Sequence, residues 1–279
     1  MRSRRLAHVL MVTALALGIG AGARDFFGDW VAATDLPPLE VPVGVEVLAR
    51  DSLVLDDSPA WESVVAALGY SGQPLAPELL EAARYRFQSP YVHLKRLFAD
   101  YAADCFAPGR PLLRAAQLLM QKIFREFTFD AAATQVATPL VQVLEQRRGV
   151  CQDFAHLMLA CLRSQGLAAR YVSGYLLTQP PPGQPRLIGA DASHAWVSVY
   201  VPGSTCGWVD FDPTNNLLPD TEHITLSFGR DFSDISPLRG IILGGGGAEP
   251  EVAVTVFPID EEELPDELSA AIEARKGGG

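Results

Sequence analysis

The stretch from Cys151 to Gln165 constrains the fold more than any other. Phe154, Ala155, Met158, Leu159 and Leu162 recur at helical spacing and predict one core-facing stripe. Asp153, His156 and Arg163 fall on the opposite side, and Gly166 supplies a stop. Strand patterns follow at residues 168–177, 194–201 and 207–212. A helix that must bury a stripe, followed by alternating strands, predicts a mixture of helix and strand around one core.

Upstream, residues 31–56 read as strands, with Pro42 and Gly44 interrupting an alternating β-branched run. Three helical patterns then start at proline, over 77–87, 90–103 and 111–127, with Ser89 placed to cap the second. A four-proline loop (178–190), a glycine run (244–247) and a late strand (252–256) complete the plan. Three regions result: an N-terminal β region over 1–57, a core over 58–259 and an acidic tail over 260–279. Met1 to Ala23 fits two readings, a secretory signal ending at Ala21-Gly22-Ala23 or a β segment of the folded protein. It is too short and too rich in Gly and Ala for a membrane span.

The net charge of −11 argues against nucleic acid as the main partner. Cys105, Cys151, Cys161 and Cys206 are dispersed, without CxxC pairs, so neither a disulfide framework nor a zinc ribbon is expected. That usage fits a reducing, cytoplasmic setting, with a secreted or periplasmic location as the alternative if residues 1–23 are a signal. No cofactor is expected. The acidic tail lacks the glycine-bearing spacing of a calcium loop.

The chemistry rests on three residues. Cys151 opens its helix, where unpaired N–H groups and the macrodipole favour a thiolate and can stabilise an oxyanion. In residues 194–201, Ala195, Val197, Val199 and Val201 form an apolar face, leaving His194, Trp196, Ser198 and Tyr200 on the other. In residues 207–212, Val209 and Phe211 are core-type, so Trp208, Asp210 and Asp212 point the other way. A hairpin turning at Pro202-Gly203-Ser204 sets His194 directly opposite Asp212. Cys151 then serves as nucleophile, His194 as base and Asp212 as the orienting carboxylate. Asp191 and Asp210 are substitute orienters, and Trp196 and Trp208 either shield the pair or simply pack. His156, about 140° around the helix from Cys151, reads as an ordinary polar-face residue, and Asp153 as a helix N-terminal group. A metal site from Cys151, Cys161, His156 and His194 lacks ligand spacing.

These residues stand in motifs. Arg148-Gly149-Val150-Cys151-Gln152-Asp153-Phe154-Ala155-His156, Arg170-Tyr171-Val172-Ser173-Gly174-Tyr175, Asp191-Ala192-Ser193-His194-Ala195-Trp196 and Asp212-Pro213-Thr214-Asn215 resemble the bacterial transglutaminase-like cysteine protease and amidase family. The resemblance implies an α+β fold with a small N-terminal β region and a papain-like transglutaminase core, its nucleophile-bearing helix packed on an antiparallel sheet, with Cys151, His194 and Asp212 matching the family's catalytic triad. Arg24 to Trp30 resembles the end of that family's N-terminal β region, and Gly229 to Pro237 its C-terminal segment. The expected reaction is acyl transfer on a protein or peptide substrate through a Cys151 thioester: hydrolysis first, transamidation of glutamine second. An acyl-CoA-dependent N-acyltransferase and an inactive peptide-binding module are the alternatives.

Overall fold

A computed structural model describes residues 6–14, 39–47, 50, 53–69, 72, 74–135, 138–177, 193–203, 207–235 and 252–259. Asp191, Cys206, the Arg24–Trp30 motif, the proline loop, the glycine run and the acidic tail lie outside the described residues.

The chain runs β1 (Leu6–Ala14), β2 (Leu39–Val47), α1 (Trp61–Ala67), α2 (Pro77–Ala83), α3 (Arg96–Ala102), α4 (Leu112–Glu126), β3 (Thr128–Phe129), α5 (Leu140–Gln146), β4 (Arg148–Gly149), α6 (Cys151–Ser164), β5 (Ala169–Leu176), β6 (Ser193–Tyr200), β7 (Trp208–Phe211), β8 (His223–Gly229) and β9 (Val252–Ile259). The expected α+β class holds: helices pack on an antiparallel sheet of order β7-β6-β5-β8. A second sheet, of order β2-β1-β9, joins Leu6–Ala14 to a strand more than two hundred residues away in sequence. Assigned with the core from sequence, β9 thus pairs with the N-terminal strand. Ile224 of β8 and Val256 of β9 share a small apolar cluster with Val47, Tyr175 and Leu177.

Helix α6 is buried nearly all round. It lies against β6 and β5 on one side and α3, α4 and α5 on the other. The polar face expected from its sequence is therefore interior, and each polar group on it has partners. Arg163 donates from Nε and Nη2 to Ala169 O (3.1 and 2.9 Å) and from Nη1 to Ser89 Oγ (3.2 Å), and it also reaches Arg230 O. His156 is buried between the rings of Tyr91 and Tyr171, and its Nε2 accepts the Phe232 N–H at 3.2 Å. Burial lowers the His156 pKa to about 4, which keeps the imidazole neutral. Rather than an ordinary surface histidine, His156 is a packing residue.

The proline signals hold for α2 and α4 but not for the middle helix, which starts at Arg96. Ser89 and Val92 instead exchange backbone hydrogen bonds (2.9 and 3.1 Å) in a tight turn. With its hydroxyl accepting from Arg163, Ser89 ties that turn to α6 rather than capping a helix. Helix α6 ends as expected, with Gly166 at φ +85°.

Gly174 sits at a register shift between β5 and β8. A Cβ there would lie 1.9 Å from Ile224 O and 2.7 Å from Trp196 Cη2. The missing side chain lets β8 and the Trp196 ring close over the same spot. Gly174→Ala is expected to lower stability by about 3 kcal/mol or more, read as a fall in the urea midpoint. An unchanged midpoint would show that the sheet yields here at no cost.

Candidate active site

Three local devices place Cys151. The β3–β4 bridge pairs Thr128 with Arg148 and Phe129 with Gly149, fixing the segment that enters α6. Asp153, in the first turn, accepts the Val150 N–H at 2.8 Å and the Thr134 hydroxyl at 2.6 Å, as expected of a helix N-terminal group. Gly149 makes that closure possible, because a Cβ there would lie 2.7 Å from Asp153 Oδ2. The thiol is partly exposed at the head of the helix, whereas Cys105 and Cys161 are buried. Burial pushes the Cys105 thiol up to about 12 and the Cys161 thiol higher still.

His194 and Asp212 come from the sheet, but not in the expected register. Strands β6 and β7 pair Val197 with Phe211 and Tyr200 with Trp208, and Val201 N–H reaches Gly207 O at 2.9 Å. Continuing that ladder puts Trp196, not His194, opposite Asp212. The hairpin loop is longer than a turn at 202–204 requires, so the pairing is offset by two residues. An even offset preserves the face, and His194 meets Asp212 along the diagonal. His194 Nε2 and Asp212 Oδ2 stand 2.8 Å apart. The face shared by His194, Trp196, Ser198 and Tyr200 is buried as well.

Asp212 is fully buried, at 0% exposure. Its Oδ1 accepts the backbone N–H groups of Thr214 (2.9 Å) and Asn215 (3.2 Å). Its Oδ2 accepts from His194, from Asn215 Nδ2 (2.8 Å) and from His223 Nε2 (3.1 Å). Burial alone would drive this carboxyl towards neutrality. The hydrogen bonds from His194 and His223, the His194 charge and the Asn215 amide outweigh it and hold the carboxyl well below the usual carboxylate range.

His194 experiences the reverse balance. Burial would lower its pKa, but hydrogen bonds to Asp212 and Cys151, together with their negative charge, raise it to about 9. With Nε2 committed to Asp212, Nδ1 is the ring nitrogen left for the thiol. A thiol, an imidazole and an ionised carboxylate therefore stand in one chain of contacts. Trp196 stacks near His194 (6.0 Å, 29°) and donates its Nε1–H to Asp210 Oδ2 at 3.1 Å. Asp210 is thereby engaged with the tryptophan rather than with His194.

His223 was not among the sequence candidates. It lies downstream of the Asp212 motif, on a strand that forms the far edge of the sheet, and no periodicity marks it. Its signal is visible only in three dimensions. Among the described residues, His194, Asp212 and His223 bring imidazole nitrogens and a carboxylate oxygen within 4.8 Å of one another, as a metal-ligand set would. Both imidazoles already donate to the same carboxylate oxygen, so the cluster is satisfied as a hydrogen-bond network.

Residues 99–213, which contain Cys151, His194 and Asp212, match the Transglutaminase-like superfamily. The chain is 46% identical over 168 residues to an uncharacterised protein of Mycobacterium tuberculosis, covering 59% of this chain and 54% of that one. Over 129 residues it is 30% identical to a protein-glutamine gamma-glutamyltransferase of Pseudomonas aeruginosa, covering 45% of this chain and 19% of the relative. The chain thus spans about half the length of the mycobacterial relative, and far less of the Pseudomonas one. A solved structure of a candidate cysteine protease from Cytophaga hutchinsonii superposes with a TM-score of 0.57 over 94% of each chain, at 16% identity, which is a likeness of fold.

The raised pKa of His194 makes the pair a stability element with a defined pH window. A cation held more tightly in the folded state stabilises fully below the unfolded value of 6.5, and that stability is lost as pH rises through about 9. With Cys151→Ala as background, so that no thiol proton offsets that of the histidine, the melting temperature relative to the variant also carrying His194→Gln should therefore decline as pH rises from 6.5 towards 9. A difference that stayed flat, or grew, across that window would contradict an imidazolium at His194.

Proposed function

The chain carries a transglutaminase-like core, and from that premise we propose that it is a cysteine-dependent acyl-transfer enzyme acting on an amide or peptide substrate. The observation that carries the proposal is the contact chain from Cys151 through His194 to a buried, ionised Asp212. His194 takes the thiol proton, giving a thiolate beside an imidazolium. The thiolate attacks the substrate carbonyl carbon at the head of α6, where the positive end of the helix dipole favours the developing oxyanion. The C–N bond breaks as His194 returns its proton to the leaving amine, leaving a thioester on Cys151. Asp212 keeps the imidazole in the tautomer that presents Nδ1 to sulfur and stabilises its cationic form without taking the proton.

Water is the first choice of second-step acceptor. It attacks the thioester, passes a proton to His194, and the C–S bond breaks to release the acid. The partial exposure of Cys151 supports this choice. An amine in place of water would give transamidation of glutamine, the reaction named for the Pseudomonas relative.

Intact-mass spectrometry of the full chain with glutamine-containing peptides, with and without an added primary amine, tests the proposal. An acyl adduct is expected on wild type and absent from Cys151→Ala, with free acid as product when no amine is added. No adduct and no turnover across the peptides would refute acyl transfer, and an amide product formed only with amine would replace hydrolysis by transamidation. Iodoacetamide should label Cys151 well ahead of Cys105 and Cys161, whose thiols are buried. Equal labelling of the three in folded protein would contradict an activated Cys151.

A further inference from the structure

His223 lies ten residues beyond the stretch that matches the transglutaminase-like superfamily, yet its Nε2 touches the same oxygen that holds His194. Two imidazoles on one carboxylate oxygen is an arrangement with a definite proton count. Since Asp212 is ionised and offers only acceptors, both facing nitrogens must carry hydrogen. Nε2 of His223 is therefore a donor, and no proton need move through it during the reaction.

The surroundings hold that donor in place. His223 is buried at the start of β8, with its backbone N–H on Asp220 O at 3.0 Å. Its ring stands nearly perpendicular to that of Trp196, with centroids 5.1 Å apart at 86°. Trp196 is itself fixed by its bond to Asp210 and by the space left at Gly174, where the next residue of β8, Ile224, approaches. One rigid assembly from β5, β6 and β8 thus delivers a single N–H to Asp212 Oδ2.

Building on the triad reading above, we propose that His223 is a positioning residue, whose Nε2–H fixes Asp212 Oδ2 in the orientation that holds His194 towards Cys151. The backbone donors at 214 and 215 pin Oδ1, and His223 and Asn215 pin Oδ2 from two sides, which leaves the carboxylate one orientation. With His223 absent, a wholly buried carboxylate loses a donor that burial had made necessary. Asp212 would then hold a proton to higher pH, and the imidazolium of His194 would lose its counter-charge. The charged or titratable groups facing this pair are His194 and Cys151 on the thiol side, and Arg50, Arg170, Asp210 and Asp220 around a pocket of about 310 Å³ that His223 also lines. The four pocket groups are common to every variant below, so they do not produce a difference between them.

Alkylation of Cys151 in the full-length protein, followed from pH 4 to 9, tests the role without any substrate. His223→Leu removes the donor, while His223→Gln can place an amide N–H near the position of Nε2. The Leu variant should label Cys151 about tenfold or more slowly at pH 7, with its acid limb moved to higher pH. The Gln variant should recover most of the rate and the wild-type limb. A folded Leu variant with unchanged rate and limb overturns the proposal, as does a Gln variant no better than Leu. Should Leu fail to fold, nitrogen-15 NMR of wild type decides instead: hydrogen on His223 Nε2 from pH 5 to 8 supports the role, and a bare Nε2 refutes it. Wild-type Cys151 labelling no faster than Cys105 or Cys161 would sink the triad reading and this inference together, an outcome distinct from loss of the His223 effect alone.

Discussion

A carboxylate with no exposure to solvent is stable in this fold only because five hydrogen bonds reach it. Removing an ion from water costs several kcal/mol even after a protein relaxes around it. Asp212 recovers that cost from the Thr214–Asn215 turn, from β6 through His194 and from β8 through His223. Three separately placed pieces of chain must therefore arrive together before the charge is tolerated. This requirement couples the sheet order β7-β6-β5-β8 to the proposed chemistry, since His194 and His223 sit on strands separated by β5.

The helix that carries Cys151 meets a matching constraint from the other side. Helix α6 is enclosed by sheet and helices, so its head can move little relative to β6. Its interior polar groups, Arg163 and His156, are bonded to the 87–91 segment and to residues 230–232. Asp231 completes that belt by accepting from the Tyr91 and Ser233 N–H groups, both at 2.8 Å. The same belt buries His156 as the neutral imidazole, so acid is expected to load on the unfolded chain first and weaken the enclosure of α6.

Much of this was readable from sequence where local pattern and global need coincide. The limits of α6, the strands carrying His194 and Asp212, and the face on which both lie follow from periodicity and from Gly166. The exact pairing did not, because loop length sets register and an offset of two leaves every face unchanged. The buried state of Asp153, His156 and Arg163 was also hidden. A helical wheel reports which side is polar, not whether another segment of chain will cover that side with partners. The expected start of the middle helix at Pro90 fails for a related reason: Ser89-Pro90 suits a helix cap locally, but the Ser89 hydroxyl is claimed by Arg163, 74 residues away. His223 escaped for the plainest reason, since a lone histidine at a strand start carries no local mark of what lies across the sheet.

The proposed acyl transfer depends on His194 being a cation sustained by Asp212 on one nitrogen and Cys151 on the other. Nitrogen-15 NMR titration of the His194 ring, in wild type and in Cys151→Ala, measures this directly. Wild type should keep the ring charged until about pH 9, and the variant, having lost the thiolate, should release its proton at a lower pH. A wild-type ring that titrates at or below the ordinary value of 6.5, unchanged by loss of the thiol, would contradict the pairing on which the proposed chemistry depends.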